Sequence, residues 1–325
     1  MEDYPTRYGI LHHIGEYSLY SGKSLKECML LDKVELVTEY GTLIPQYEFE
    51  ENRRKYIYSV SFYEDGALSR VALNERTRIP APIGDIEAEL ITFYKSGKIK
   101  RLFPLNGRIS AYWDENDEYR LAQEVTVKTA GTLIKTKIIG YSFYENGALK
   151  ALTFWPRDAV KLDTPIGSIR VRIGVSFYPD GRIKSVEPSL PVLVQTPIGP
   201  VKAYDYNANG ISGDRNSLVF TADGAVQELV TSVMKVSVRD RTGKLIVVFS
   251  PEQEWDEDGL EISFTTLRLS FEDNRVCFND TSIFDMTDNS FTIEPYTRTA
   301  PSMCDDCASC GKCSAGEIGS SALLD

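Results

Sequence analysis

Histidine is nearly absent from this chain, since only His12 and His13 occur among its 325 residues. Histidine is the usual base of Ser-His and Cys-His catalysis, so its scarcity counts against both mechanisms. Adjacent residues of a strand point to opposite faces, so these two side chains cannot serve one metal from a strand. A glycine loop of the form that cradles phosphates is missing as well. We interpret both histidines as ordinary polar residues and predict no catalytic residue.

Long apolar runs and an excess of positive charge are also missing. No stretch approaches the 18 consecutive apolar residues typical of a membrane-spanning helix, and residues 1–5 lack the apolar core of a signal peptide. The formal net charge of −11 disfavours binding to phosphate backbones. The short basic runs at 53–55 and 98–101 are interpreted as solvent-exposed faces of strands. We therefore expect a cytoplasmic protein with neither a nucleic-acid nor a membrane partner.

One pattern of strand, turn and strand recurs six times. Each copy carries an apolar or aromatic strand with phenylalanine, a tyrosine in the first four copies, and then Asp-Gly, Asn-Gly or a related turn. Asp-Gly and Asn-Gly favour two-residue type I′ hairpins, and alternation predicts a buried phenylalanine ladder with a partial tyrosine ladder on the other face. The copies are 61–68, 92–99, 142–149, 176–183, 219–226 and 270–276.

A second turn pattern, Pro-Ile-Gly, alternates with the first. It occurs at 81–84, 164–167 and 196–199, and each copy follows the preceding first-type glycine by 18 to 20 residues. Thr242-Gly243 is interpreted as a degenerate copy of the same turn. Successive first-type turns are 31 to 50 residues apart, a period typical of solenoids, propellers or arrays.

These patterns predict a mostly β fold of antiparallel hairpin repeats that form a solenoid-like or extended sheet. A β-propeller is the alternative, and closure of the first repeat against the last distinguishes the two. We divide the chain into N-terminal cap strands at 1–54, a hairpin-repeat domain at 55–300 and a cysteine-rich tail at 301–325. The stretch 102–113 is expected to form strand, turn and strand.

The hairpin unit is similar to a known repeat class. The segment at 143–150, Phe-Tyr-Glu-Asn-Gly-Ala-Leu-Lys, resembles the tyrosine-rich hairpins of MORN-type repeats, especially those of YwqK-like proteins. The resemblance covers roughly residues 55–280 at the level of turns and strands, with Pro-Ile-Gly replacing the family's glycine-rich stretch. It implies protein-protein interaction at most.

Four of the six cysteines, Cys304, Cys307, Cys310 and Cys313, form a C-x2-C-x2-C-x2-C run. Clustered thiolates are ligands of iron-sulfur clusters and of zinc. The first three resemble the start of a bacterial ferredoxin run, whereas the next spacing is shorter and no proline follows. We predict a metal centre, with a 4Fe-4S cluster favoured over zinc. Its fourth ligand is either Cys313 or Cys277, and a metal-free thiol tail is the alternative.

The remaining polar features carry weaker signals. The acidic runs at 114–118 and 256–258 fit solvated turns better than calcium or glycosidase sites, and the loop at 207–214 breaks the repeat without a nameable role. We predict a non-enzymatic scaffold or protein-interaction module that carries the metal centre and binds a protein partner. A redox or carbohydrate-active enzyme on a propeller-like fold is the alternative, and the sequence leaves the oligomeric state open.

Overall fold

The protein is almost entirely β-structure. A computed structural model describes residues 3–50, 52–54, 58–129, 132–210, 216–255 and 262–296. Within them the chain forms 28 strands and one helix, α1 (Glu115–Leu121), so the predicted mostly β, antiparallel fold is confirmed. The strands before the helix are β1 (Asp3–Thr6), β2 (Gly9–His12), β3 (Ile14–Leu19), β4 (Leu25–Leu30), β5 (Leu36–Thr38), β6 (Gly41–Leu43), β7 (Val60–Phe62), β8 (Leu68–Ala81), β9 (Gly84–Phe93) and β10 (Ile99–Phe103).

The strands after the helix continue the same hairpin pattern. The first nine are β11 (Glu124–Lys128), β12 (Leu133–Phe143), β13 (Leu149–Phe154), β14 (Ala159–Thr164), β15 (Gly167–Phe177), β16 (Ile183–Pro188), β17 (Val192–Thr196), β18 (Gly199–Ala203) and β19 (Leu218–Phe220). The last nine are β20 (Val226–Thr231), β21 (Met234–Arg239), β22 (Leu245–Phe249), β23 (Gln253–Trp255), β24 (Ile262–Phe264), β25 (Leu267–Glu272), β26 (Arg275–Phe278), β27 (Ser282–Asp285) and β28 (Ser290–Pro295).

Fifteen strands pair into one continuous antiparallel sheet. Their order is β3, β4, β7, β8, β9, β10, β12, β13, β15, β16, β19, β20, β25, β26 and β27. β11 and β14 attach as branches to β12 and β15. No pairing between described residues joins β3 to β27, so the two edges of the sheet are separate. Because β4 pairs with β7, β3 and β4 of the predicted N-terminal cap belong to this same sheet, whereas β1–β2 and β5–β6 form separate hairpins.

Five of the six first-type turns share one geometry. At 142–149 the Gly147 N–H donates to the Tyr144 carbonyl at 2.9 Å, and the Tyr144 N–H donates to Ala148 at 2.8 Å. Gly147 has a φ of +87°, whereas Asn146 is not in the left-handed region. The Asn146 side chain accepts from the Ala148 N–H at 3.0 Å, which fixes an ordinary φ there. The turn is therefore type I followed by a left-handed glycine, and the predicted type I′ turn is wrong.

The predicted positive φ is confirmed at Gly66, Gly147 and Gly181, each between paired antiparallel strands. A further copy of the turn, at residues 19–25, precedes the six found in the sequence. There Lys23 takes the left-handed position with a φ of +65°, and its N–H donates to the Tyr20 carbonyl at 2.9 Å. This copy was not recognised from the sequence because it has no phenylalanine and its glycine, Gly22, lies one position before the left-handed residue.

Four second-type turns share a threonine hydrogen bond that the Pro-Ile-Gly pattern did not show, and the turn at 81–84, which begins with Ala81, lacks it. The threonine hydroxyl donates to the carbonyl oxygen of the glycine three residues later, at 2.6 to 2.8 Å, in the turns at 6–9, 38–41, 164–167 and 196–199. Two of these copies, Thr-Arg-Tyr-Gly and Thr-Glu-Tyr-Gly, lack Pro-Ile. Thr242-Gly243 is not a copy: the Gly243 N–H donates to Asp240 at 2.9 Å, as in a first-type turn.

The second-type hairpins tie distant repeats together. Four of them contact the second first-type turn that follows them along the chain. The Tyr8 hydroxyl accepts from the Leu68 N–H at 3.2 Å, and the Tyr40 hydroxyl accepts from the Ile99 N–H at 3.2 Å. Two further contacts of this kind join Pro82 to Gly147 and Pro165 to Gly224.

The hydrophobic core lies between one face of the continuous sheet and these hairpins. Residues of the hairpins, such as Ile79, Leu162 and Val194, belong to the same buried cluster as the sheet. The phenylalanines at the repeated position are buried, as predicted, and none is more than 9% exposed. They are Phe62, Phe93, Phe143, Phe177, Phe220 and Phe271.

Helix α1 follows the stretch 102–113, for which the sequence predicted strand, turn and strand. β10 ends at Phe103, and only an isolated bridge between Ser110 and Trp113 follows. Asp114 caps the helix, because its carboxylate accepts from the Asp117 N–H at 2.8 Å. The acidic run at 114–118 therefore starts a helix instead of forming a solvated turn.

Candidate binding face

One residue from each strand of the continuous sheet lies in a single cross-strand row on the face opposite the phenylalanine core. Opposed residues of antiparallel strands project from the same face, and successive residues alternate between faces. In order, the row is Ser18, Glu27, Ser61, Arg70, Thr92, Arg101, Ser142, Ala151, Ser176, Ser185, Val219, Glu228, Ser270, Cys277 and Ile283. We call it the polar row and the surface around it the polar face.

A tyrosine ladder runs along the turn end of the polar row. Each tyrosine hydroxyl donates to the carbonyl oxygen of the repeated-position residue in the next copy. The bonds are Tyr20 to Phe62 (3.0 Å), Tyr63 to Phe93 (2.7 Å), Tyr94 to Phe143 (2.8 Å), Tyr144 to Phe177 (2.8 Å) and Tyr178 to Phe220 (2.7 Å). The ladder ends at Thr221, whose hydroxyl donates to Asp223 of its own turn at 2.6 Å. The predicted ladder is therefore present and begins one copy earlier than expected.

Lysines cover two rings of the ladder. The Lys100 ammonium lies 5.6 Å from the ring centroid of Tyr94, and that of Lys184 lies 6.0 Å from Tyr178. Both lysines occupy the third position after a turn glycine, and cation–π attraction favours this placement. These two ammonium groups place positive charge at the turn end of the polar face.

A buried ion cluster anchors the segment that carries α1. Arg53 donates to Glu118 at 2.8 Å and to Glu89 at 2.7 Å, and all three side chains are at most one-tenth exposed. Burial alone would raise the pKa of Glu118, but hydrogen bonds from Arg53 and Trp113 outweigh it and hold that pKa below its ordinary value. Arg53 and Arg54 were predicted to face solvent, and this prediction is wrong because their partners come from distant parts of the chain.

The loop at 108–113 projects from this anchor with large side chains in solvent. Ile109 is 74% exposed and Tyr112 is 82% exposed. Beside them a cavity of about 270 Å³ is lined in part by Trp113 and Trp155. Rigid aromatic and apolar side chains around a pocket are typical of protein-binding surfaces.

A second loop, at 205–210, lies over the other half of the polar face. With strand residues that include Lys184 and Arg268, it lines a polar cavity of about 650 Å³. Below it, Ser185 accepts from Asn216 at 2.8 Å and bonds Ser176 at 2.5 Å, so this part of the polar row is closed. The sequence singled out this loop, and its remaining predicted members, Gly213 and Asp214, lie outside the described residues.

A buried carboxyl group lies behind that cavity. Glu187 is 1% exposed and accepts from the Ser217 N–H at 2.8 Å and from its hydroxyl at 2.5 Å. Burial raises the pKa of Glu187 to about 7, while the Ser217 hydrogen bonds and Arg172, 3.7 Å away, oppose the rise. Sequence reasoning missed this group because an isolated glutamate in a strand resembles a solvent-facing one.

The predicted metal ligands Cys304, Cys307, Cys310 and Cys313 lie outside the described residues, as does the acidic run at 256–258. Cys28 is buried in the core, where desolvation raises its pKa to about 12, and Cys277 is half-buried in the polar row. In the part of the chain that the structure describes, no three or more His, Cys, Asp or Glu side chains are grouped to hold a metal.

The two histidines lie on the surface and bond different carboxylates. His12 Nδ1 lies 2.8 Å from Asp3, and His13 bonds Asp32. More than half of each side chain is exposed, so both behave as ordinary polar residues. Across the described ranges, no helix is long and apolar enough to cross a membrane.

The polar face is therefore a row of hydroxyl and charged side chains, partly covered by two loops, with an exposed apolar loop beside it. The resemblance to MORN-type repeats stays a prediction from the sequence. No family model, no curated protein and no solved structure matches the chain.

Proposed function

We propose that this protein is a non-enzymatic β-repeat scaffold that binds a partner protein through its polar face and carries a cysteine-ligated metal centre in its C-terminal tail. The observation that carries the binding role is the exposure of Ile109 and Tyr112 in a loop whose Arg108 acts electrostatically on Arg70 of the polar row. A partner could bury the apolar loop at the centre of an interface and meet polar groups around it.

The proposed shape is an extended, solenoid-like array. Two observations support it: the pairing passes from β3 to β27 without a break, and the second-type hairpins link each repeat to a later one. Such arrays stack units against their neighbours and present long surfaces for binding. The tyrosine ladder would keep that surface rigid, which lowers the entropy lost on binding.

The proposed metal centre rests on the donor set of the tail. Four thiols within ten residues suit an iron-sulfur cluster, with zinc as the second choice. Asp305 and Asp306 lie between the first two thiols, so negative charge accumulates unless a cation binds. Thiol ligands of this kind belong in a reducing compartment such as the cytoplasm. The centre would order the tail, sense redox state or pass an electron.

Site-specific photo-crosslinking tests the binding role. A benzophenone amino acid replaces Tyr112 in the exposed loop, and in a matched control it replaces Leu193, which is 56% exposed on a second-type hairpin. We expect one partner protein to crosslink from position 112 and not from position 193. Ile109→Asp should then lower the yield by about tenfold or more, as for other central interface residues. Equal crosslinking from both positions, or none from either, contradicts the proposal.

A further inference from the structure

The polar row changes character along the sheet. The copy at 176–183 begins with Ser176 and is followed closely by Ser185, and these two side chains are buried and bonded to each other. Arg70 and Arg101, which follow the copies at 61–68 and 92–99, are half-exposed. The row therefore contains one stretch closed by its own hydrogen bonds and one stretch that presents two guanidinium groups.

Arg70 and Arg101 flank Thr92 directly. Thr92 pairs with Arg70 on one side and with Arg101 on the other, so all three side chains project from the polar face. Neighbouring strands are about 4.8 Å apart, which places the two arginine Cα atoms about 10 Å from each other. Arginine side chains are long enough to converge above the threonine between them.

Neither arginine forms an ion pair in the part of the chain described here, although the charge of Glu27 acts on Arg70. Arg53, Arg78 and Arg268 are ion-paired to carboxylates, whereas no ion pair involves Arg70 or Arg101. The Thr92 hydroxyl oxygen is buried and has no hydrogen-bond partner. A buried polar group without a partner is costly and rare, so it points to a ligand group that supplies the bond.

A third cation approaches from the exposed loop. Burial lowers the pKa of Arg70, the positive charge of Arg108 lowers it further, and the negative charge of Glu27 opposes this fall. Arg108 adjoins Ile109 in the loop proposed to bind the partner. Like charges held together in a partly desolvated place are stabilised by a bound anion, and guanidinium groups bind carboxylates in a bidentate manner.

We propose that Arg70, Thr92 and Arg101, with Arg108 at the edge, form a binding site for the carboxylate side chains of an acidic segment of the partner protein. The inference rests on the proposed function and deepens it. Charge complementarity favours an acidic ligand, because the three arginines lie on one face and form no ion pair among the described residues, although the chain has a net charge of −11. The site continues into the apolar loop, so the segment would carry acidic residues next to an apolar one.

Fluorescence anisotropy with fluorescein-labelled hexaglutamate tests the site on the full-length protein, with hexaglutamine as the uncharged control. We expect saturable binding of hexaglutamate alone. Arg70→Gln and Arg101→Gln should each weaken it by about tenfold or more, and Thr92→Val by a smaller factor. Arg78→Gln removes the same charge from an exposed ion pair on a second-type hairpin and should change binding less than about twofold. Circular dichroism confirms that each variant is folded, and Arg70→Lys and Arg101→Lys supply milder variants.

Three outcomes of the anisotropy experiment overturn the inference. They are absence of hexaglutamate binding, binding that both arginine variants retain, and an arginine-dependent response to inorganic phosphate without one to hexaglutamate. The crosslink from position 112 separates this inference from the proposed function. If the Arg70→Gln/Arg101→Gln double variant keeps that crosslink at full yield, the acidic-segment site is wrong and the scaffold role stands. If position 112 gives no crosslink while hexaglutamate binds, the scaffold role fails and the anion site stands.

Discussion

Tyr144 donates a hydrogen bond of 2.8 Å from its hydroxyl to the carbonyl oxygen of Phe177, 33 residues further along the chain. Each such bond joins the turn of one repeat to the strand of the next. Backbone pairing alone would leave the turns linked only through their strands. The tyrosine ladder thus couples the repeats along the turn end of the polar face.

Tyr144→Phe should lower the free energy of unfolding by about 0.5–1.5 kcal/mol, because it removes one hydroxyl and leaves the ring in place. Urea denaturation followed by circular dichroism measures the loss. Tyr112→Phe is the matched control, since Tyr112 is 82% exposed, and it should change stability by less than about 0.5 kcal/mol. Equal effects of the two substitutions would show that the ladder does not couple the repeats.

Gly147→Ala should destabilise the protein by about 1–2 kcal/mol. Its φ of +87° disfavours any L side chain, and an added Cβ would lie 3.3 Å from Cγ of Pro82. Gly22→Ala is the control, since Gly22 has no positive φ and its added Cβ would meet only the Glu64 carboxylate at 3.8 Å. We expect this control to be neutral or slightly stabilising in the same urea experiment. A Gly147→Ala variant as stable as wild type would contradict the left-handed turn.

Arg53→Ala should cost about 3–5 kcal/mol, because it leaves Glu89 and Glu118 buried without their cation. The contrast is Arg78→Ala, which breaks an exposed pair with Asp85 and should cost no more than about 1 kcal/mol. Thermal unfolding at neutral pH compares the two. If both variants unfold at the same temperature, the ion cluster does not anchor the α1 segment.

The repeat was largely readable from the sequence, because its turn residues are local. Gly66 and Phe62 were placed correctly from a pattern eight residues long. Arg53 and Glu118 were not, since a linear pattern cannot show that side chains 65 residues apart meet in the interior. Arg70, Thr92 and Arg101 lie in three separate segments, so only the strand register brings them together.

The pH dependence of the free energy of unfolding should reveal the titration of Glu187. Its pKa is about 7 when folded, above the ordinary value of 4.5, so between these pH values the folded state holds a proton that the unfolded state has released. The stabilisation that Glu187 contributes is therefore at its maximum below pH 4.5. Between pH 4.5 and pH 7 it decreases by up to roughly 1.4 kcal/mol for each pH unit, and above pH 7 it stays constant. Glu187→Gln removes this dependence.

Urea denaturation of wild type and Glu187→Gln at several pH values measures the effect of Glu187. The variant should gain stability relative to wild type as pH rises from about 5 to 8, while other titrating groups cancel in the comparison. Asp180→Asn, at an exposed turn, serves as a control without this gain. A constant difference between Glu187→Gln and wild type over that range would show that Glu187 does not titrate there.

The C-terminal cysteines make the remaining prediction. Protein purified without oxygen should contain iron, or failing that zinc, and an iron-sulfur cluster would add visible absorption. Cys307→Ser/Cys310→Ser should abolish metal binding, since it removes two of four thiolates, and should leave the far-ultraviolet circular dichroism unchanged because the hairpin repeats lie elsewhere in the chain. Cys28→Ser is the control, because Cys28 is buried in the core and should affect stability without lowering metal content. If wild-type protein prepared in this way carries neither metal, the cluster is better explained as a thiol tail for disulfide exchange, and the polar face would act without a metal centre.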